Sequence, residues 1–196
     1  MDRELVKRIL SSIILLPIAY YSLVAGSFFS IFFIIICFIA ACYEWNKMNK
    51  NYPNKIFGFI FLLFSFYAFY YLSFKLILLL FVILICIATD LGGYIFGKIF
   101  KGPKLTKISP NKTYAGVIGG YSLSFISLSI FTNYMYFSVT YFHFLLITFL
   151  LSTVSQIGDI IVSYFKRRAG IKNTGNLIPG HGGLLDRIDG MIFAVP

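Results

Sequence analysis

Acidic residues are scarce in this 196-residue chain: Asp2, Glu4, Glu44, Asp90, Asp159, Asp186 and Asp189 are all there are. Charged residues make up only 12% of the total, against about 25% in an ordinary soluble domain. That deficit excludes a disordered, solvating polymer. Cysteine is equally sparse: Cys37, Cys42 and Cys86 lie inside apolar runs, so they read as small buried side chains and exclude a disulfide-stapled secreted module. No Cys/His cluster has zinc spacing. There is no collagen-like period, internal repeat or low-complexity block.

What fills the chain instead is apolar. Hydrophobic residues make up 59% and aromatics 19%, with 23 Phe, and the mean hydropathy is +0.85. That is more apolar surface than a 22.3 kDa core can hide, so the solvent is lipid. The net charge of +10 does not signal nucleic-acid binding, which needs a solvated basic face; here the basic residues punctuate hydrophobic spans.

Ile9 to Tyr43 is a run of 35 residues without formal charge. As one helix it would be ~52 Å long against a hydrocarbon core of ~30 Å, so it folds back, with the break at Ala25-Gly26-Ser27. The expected spans are 9–25, kinked by Pro17, then 27–43, 56–74, 76–97, 113–131 and 141–162. A further segment, Met191 to Pro196, begins a seventh span that is either truncated or short. Alternating the connections puts 16 of the 17 Lys and Arg on one side and leaves only Lys75 on the other. By the positive-inside rule that side is cytoplasmic, the N-terminus included. Lys7-Arg8 ahead of an apolar run also resembles a signal peptide, but cleavage would strip the next span of its hairpin partner. The expectation is an all-α, polytopic integral membrane bundle of six full spans, one domain over 1–196. Cytoplasmic loops near 98–112 and 163–189 would carry the chemistry.

Asp90 and Asp159 lie inside spans, where an ionisable group costs at least ~2.5 kcal/mol and is a functional candidate by default. Glu44 stands at a span end beside Trp45 and reads as interfacial anchoring. Asp159, Asp186 and Asp189 offer hard oxygens of the kind that hold Mg²⁺, completed by substrate phosphates. Lys166, Arg167, Arg168, Lys172 and Arg187 surround them. A metal and a basic cluster suit phosphoryl or nucleotidyl transfer, in which charge on non-bridging oxygens must be offset. The turn Pro179-Gly180-His181-Gly182-Gly183 is dense in glycine, which lets backbone N–H groups approach an anion, and His181 offers a donor, acid or base. Two near-matches fail. Gly92 to Lys98 approximates a phosphate-binding P-loop, but Ile99 replaces the Ser/Thr and no strand precedes it. Asp186-Arg187-Ile188-Asp189-Gly190 opens like a CDP-alcohol phosphotransferase signature, but Phe193-Ala194 stands where Ala-Arg is expected and no later Asp pair follows.

Taken together, Ser163-Tyr164-Phe165-Lys166-Arg167, Lys172, and Ile178 through Asp189 closely resemble the signature of the phosphatidate cytidylyltransferase (CDP-diacylglycerol synthase) family. Lys107-Ile108-Ser109-Pro110-Asn111-Lys112-Thr113 with Gly116, Gly119 and Gly120, the segment Asp90 to Gly97, and Gln156-Ile157-Gly158-Asp159 match in place and order. The resemblance implies a multi-pass membrane enzyme, its site facing the cytoplasm, that joins CTP to phosphatidic acid with Mg²⁺, giving CDP-diacylglycerol and pyrophosphate. It implies Asp159 and Asp186 as metal ligands. Lys166, Arg167, Lys172, His181, Arg187 and Asp189 would complete the catalytic set, and Asp90, Ser109, Pro110, Lys112, Thr113, Gly182 and Gly183 would bind substrate. Asn173 departs from the family, which has Asp after the signature lysine, and the family continues through a last span where this chain stops. Cytidylyl or phosphoryl transfer from CTP to another lipid, such as a prenyl-ether lipid phosphate or a polyprenol, stays open, as do an inactive homologue, an anion transporter and a homodimeric state.

Overall fold

The computed structural model describes residues 3–24, 27–49, 51–106, 108–134 and 141–196. The expected break at Ala25-Gly26, Lys107 of the second motif and the connection 135–140 lie outside the described residues. Among the described residues six long helices follow one another: α1 (Arg3–Val24), α2 (Ser27–Met48), α3 (Tyr52–Ser73), α4 (Leu76–Phe100), α5 (Tyr114–Tyr134) and α6 (Tyr141–Arg168). Two short ones, α7 (Leu185–Ile188) and α8 (Met191–Ala194), complete the order. Among the described residues the only β pairing is two isolated bridges. The fold is all-α, and α2 to α6 are each long and apolar enough to cross a membrane. In α1, which runs through Pro17, the apolar stretch is only Ile13–Val24. Outward-facing Phe28, Phe57, Ile60 and Ile118 are among many large apolar side chains left exposed by the protein itself, the mark of a polytopic membrane protein whose helices satisfy their own backbone groups.

The helices outrun the expected spans. α4 continues to Phe100 and α6 to Arg168, so Lys98, Lys166 and Arg167 stand on helix ends instead of in connections. Cations in a last turn complement the partial negative charge of the helix C-terminus, which favours this extension. Asp90 and Asp159 consequently lie about two and a half turns from their helix ends.

The chain divides into two compact units. One comprises residues 1–76, 165–189 and 196; the other comprises 77–164 and 190–195. In the first, α2 packs on α1 and α3. Trp45 donates its indole N–H to the Asn54 carbonyl at 3.2 Å and meets Phe165 edge-on, with centroids 4.9 Å apart. Its ring fills the space a Cβ at Gly58 would need. In the second, Phe81, Ile85, Leu128 and Phe144 form a buried cluster. Thr89 on α4 donates to Ser152 on α6 at 3.0 Å, an interhelical hydrogen bond of the kind that joins helices in lipid.

Candidate functional site

In the second unit the described residues of the connection from α4 to α5 are pinned by local contacts. Lys101 and Gly102 take positive φ, Lys104 bridges Thr113, and the Leu105 amide donates to the Lys112 carbonyl at 2.8 Å. Pro110 presets the turn from Ser109 to Lys112, closed by the Lys112 amide on the Ser109 carbonyl at 3.0 Å. Thr113 Oγ1 then accepts the Gly116 amide at 3.1 Å, capping α5. Lys112 is thereby delivered to Asp159 on α6, with which it forms an ion pair. The same pair borders a cavity of about 310 Å³ lined also by Asp90, Thr89, Ser109, Thr113 and Gln156. Four expected substrate-binding residues, Asp90, Ser109, Lys112 and Thr113, therefore meet Asp159 in one cavity, whereas Pro110 is not among its lining residues and serves the turn that carries Lys112. Gly92, in the false P-loop, serves packing, since a Cβ there would overlap the Gly119 carbonyl; Gly116 does the same across the seam, where a Cβ would lie 2.8 Å from the Gly93 oxygen.

In the first unit α6 ends in a Schellman-type cap, with Gly170 at φ +71° and the Ile171 amide returning to the Lys166 carbonyl at 3.0 Å. The signature then folds as a tight turn: Ile178-Pro179-Gly180-His181 closes with the His181 amide on the Ile178 carbonyl at 3.0 Å. Gly180 at φ +76° follows Pro179, as a type II turn requires. His181 Nδ1 stands 2.8 Å from Ser11 Oγ on α1, and its carbonyl accepts from Arg187 at 2.8 Å. Asp186 gathers three donors: Lys166 Nζ at 2.9 Å, the Thr174 amide at 2.8 Å and the Gly183 amide at 3.1 Å. Asp189 lies 3.7 Å from the same lysine. Arg167, Lys172 and Arg187 are exposed. The amides of Gly182 and Gly183 point inward, to the Ile178 carbonyl and to Asp186. Here these glycines give the loop its shape, and the cations facing solvent are side chains.

One residue at the centre of this loop reads in sequence only as an interfacial anchor. Glu44 on α2 is 0% exposed and accepts from Thr174 Oγ1 at 2.7 Å and from the amides of Leu184 and Leu185 at 2.9 Å each. Its partners stand 130 to 141 positions away, so nothing near Glu44 in the chain marks it.

Against known proteins, residues 55–196 match the Cytidylyltransferase family. The chain belongs to the cytidylyltransferase family. Among curated relatives of this chain, the phosphatidate cytidylyltransferase of Staphylococcus saprophyticus is 42% identical over 119 residues, covering 60% of this chain and 46% of that protein. That of Bacillus subtilis is 42% identical over 110 residues, 56% of this chain and 41% of that one. The match thus spans somewhat less than half the length of these relatives.

The donor chemistry suits Mg²⁺. Among the described residues no three His, Cys, Asp or Glu side chains converge as a ready-made cage. Mg²⁺, however, is ordinarily held by one or two carboxylates and completed by substrate phosphates, and Asp159 and Asp186 each present a carboxylate balanced by a lysine.

Proposed function

We propose that this member of the cytidylyltransferase family transfers the cytidylyl group of CTP to phosphatidic acid, giving CDP-diacylglycerol and pyrophosphate. The observation that carries the reading is the Lys112–Asp159 pair, with Asp90 beside it, lining one cavity within an apolar helical unit. Membrane-buried charge is costly and is kept where chemistry uses it. The names of the relatives agree with it.

A phosphate monoester with a second pKa of about 6 is largely dianionic at neutral pH, so its oxygen attacks the α-phosphorus of CTP without a strong base. The α-phosphorus bond to the bridging oxygen breaks and pyrophosphate leaves. Positioning and electrostatics then suffice. Lys112, Lys166, Arg167, Lys172 and Arg187 offset charge on the triphosphate, His181 donates to a phosphate oxygen, and Asp90, Ser109 and Thr113 line the substrate cavity. Asp159 and Asp186 would hold Mg²⁺, which supplies charge neutralisation on the non-bridging oxygens. The proposed topology has six spans and a cytoplasmic N-terminus, with the site on the cytoplasmic side where soluble CTP meets a tethered lipid phosphate.

The test is CDP-diacylglycerol formation from labelled CTP in mixed micelles containing phosphatidic acid. EDTA should stop it, and Asp159→Asn and Asp186→Asn expressed at wild-type level should lose it. Full activity in both variants would overturn the metal assignment; CTP consumption only with a prenyl lipid would replace the substrate.

A further inference from the structure

We infer that Glu44 is a positioning residue: it holds the 174–185 loop in the pose that presents Asp186. The inference rests on the cytidylyl-transfer reading for its catalytic consequence and on the loop geometry for its substance.

Glu44 is fully buried, and the groups hydrogen-bonded to it are donors from this one loop: one hydroxyl and two successive amides. A carboxylate accepts at both oxygens, which is what three converging donors require; a Gln would turn an NH₂ toward one of them. A buried donor deprived of its acceptor bears the full desolvation cost, so the two oxygens of Glu44 hold the loop in place. The loop glycines have the same origin. A Cβ at Gly175 would lie 2.7 Å from Glu44 Oε1, and one at Gly183 would overlap Thr174 Oγ1 and lie 2.7 Å from Glu44 Oε1.

The coupling to Asp186 runs through shared residues. Thr174 gives its hydroxyl to Glu44 and its amide to Asp186 Oδ2 at 2.8 Å. Gly183, backed against Glu44, gives its amide to the same Asp186 oxygen at 3.1 Å, and Leu184 and Leu185, next along the chain, bind Glu44. Two carboxylates thus hold one loop through Thr174 and the Gly183–Leu185 segment. When Glu44 lets go, the amides that fix Asp186 lose their frame.

The experiment is residue-resolved amide hydrogen exchange on the whole chain in micelles, alongside steady-state kinetics. Glu44→Gln is expected to raise exchange at Leu184 and Leu185 about tenfold or more, and with them exchange at Thr174 and Gly183. kcat should fall about tenfold or more while KM for phosphatidic acid holds. Unchanged exchange at Thr174 and Gly183 overturns the coupling, and so does deprotection spread evenly through α2 and α3, which would mean a general fold defect. If Glu44 variants are not recovered from membranes, Thr174→Val, which loses the hydroxyl, is compared with Thr174→Ser, which keeps it. The inference expects the first to be impaired and the second close to wild type; equal behaviour overturns it. If the wild-type chain makes no CDP-diacylglycerol, the functional reading fails, and the exchange pattern alone still decides whether Glu44 positions Asp186.

Discussion

Lys166 Nζ sits 2.9 Å from Asp186 Oδ1 with both side chains about nine-tenths buried, at 11% and 10% exposure. The lysine is placed by the last turn of α6, the aspartate by the first turn of α7. Removing one member of such a pair leaves an uncompensated charge, at a cost of about 3–5 kcal/mol. Lys166→Met should therefore lower unfolding stability in detergent by about 3 kcal/mol, and adding Asp186→Asn to it should recover part of that loss. A single variant as stable as wild type would show that the two backbone amides alone sustain Asp186.

Lys112 and Asp159 present the opposite balance. Their side chains are 23% and 30% exposed to the cavity, so screening limits the pair to about 1 kcal/mol of stability or less. Activity is where their loss should register. Lys112→Met and Asp159→Asn are each expected to reduce CDP-diacylglycerol formation about 100-fold or more, with unfolding midpoints little changed. The double variant should be scarcely worse than either single one, since groups acting as a unit are non-additive. Multiplying effects would mean that the two residues act separately.

Gly92 and Gly93 are neighbours with different packing demands. Ala at Gly92 would drive its Cβ into the Gly119 carbonyl and to 3.0 Å from Gly120 Cα, and overpacking of this kind costs about 1–3 kcal/mol. Ala at Gly93 meets only the Gly116 oxygen at 3.7 Å, an ordinary contact, so its stability should stay within about 0.5 kcal/mol of wild type. Thermal unfolding of the two variants makes the comparison. Equal stability would remove the close α4–α5 approach as the reason for Gly92.

The helices were legible because charge-free runs and their basic punctuation are local properties of the chain, and the structure's α2 to α6 coincide with spans expected on that ground. Their ends were not. Lys98 and Lys166 look like loop residues in sequence, yet each extends a helix whose terminal dipole they complement. Asp90, Lys112 and Asp159 were each recognised as candidates, but their meeting in one cavity depends on the turn at Pro110 and on α4–α5 glycine packing. Glu44 reads as an interfacial anchor in sequence because its donors come from the far end of the chain. A buried carboxylate acquires its meaning from groups that fold onto it.

Gly170 and Gly182 provide the closing comparison, since both hold positive φ, +71° and +92°, and both should lose about 1–2 kcal/mol when changed to Ala. Around Gly170, which ends α6, an added Cβ meets nothing within 4 Å. At Gly182 the same atom would lie 3.1 Å from Asp186 Oδ2 and 3.4 Å from Asn173 Cγ, so the carboxylate must give way by a few tenths of an ångström. Backbone strain is thus common to the two variants, and displacement of Asp186 belongs to one. Gly182→Ala is expected to lower kcat about tenfold, while Gly170→Ala, similarly destabilised, turns over at close to the wild-type rate. Kinetics at a temperature well below both unfolding midpoints make the measurement, and equal rates would show that Asp186 tolerates a shift of this size.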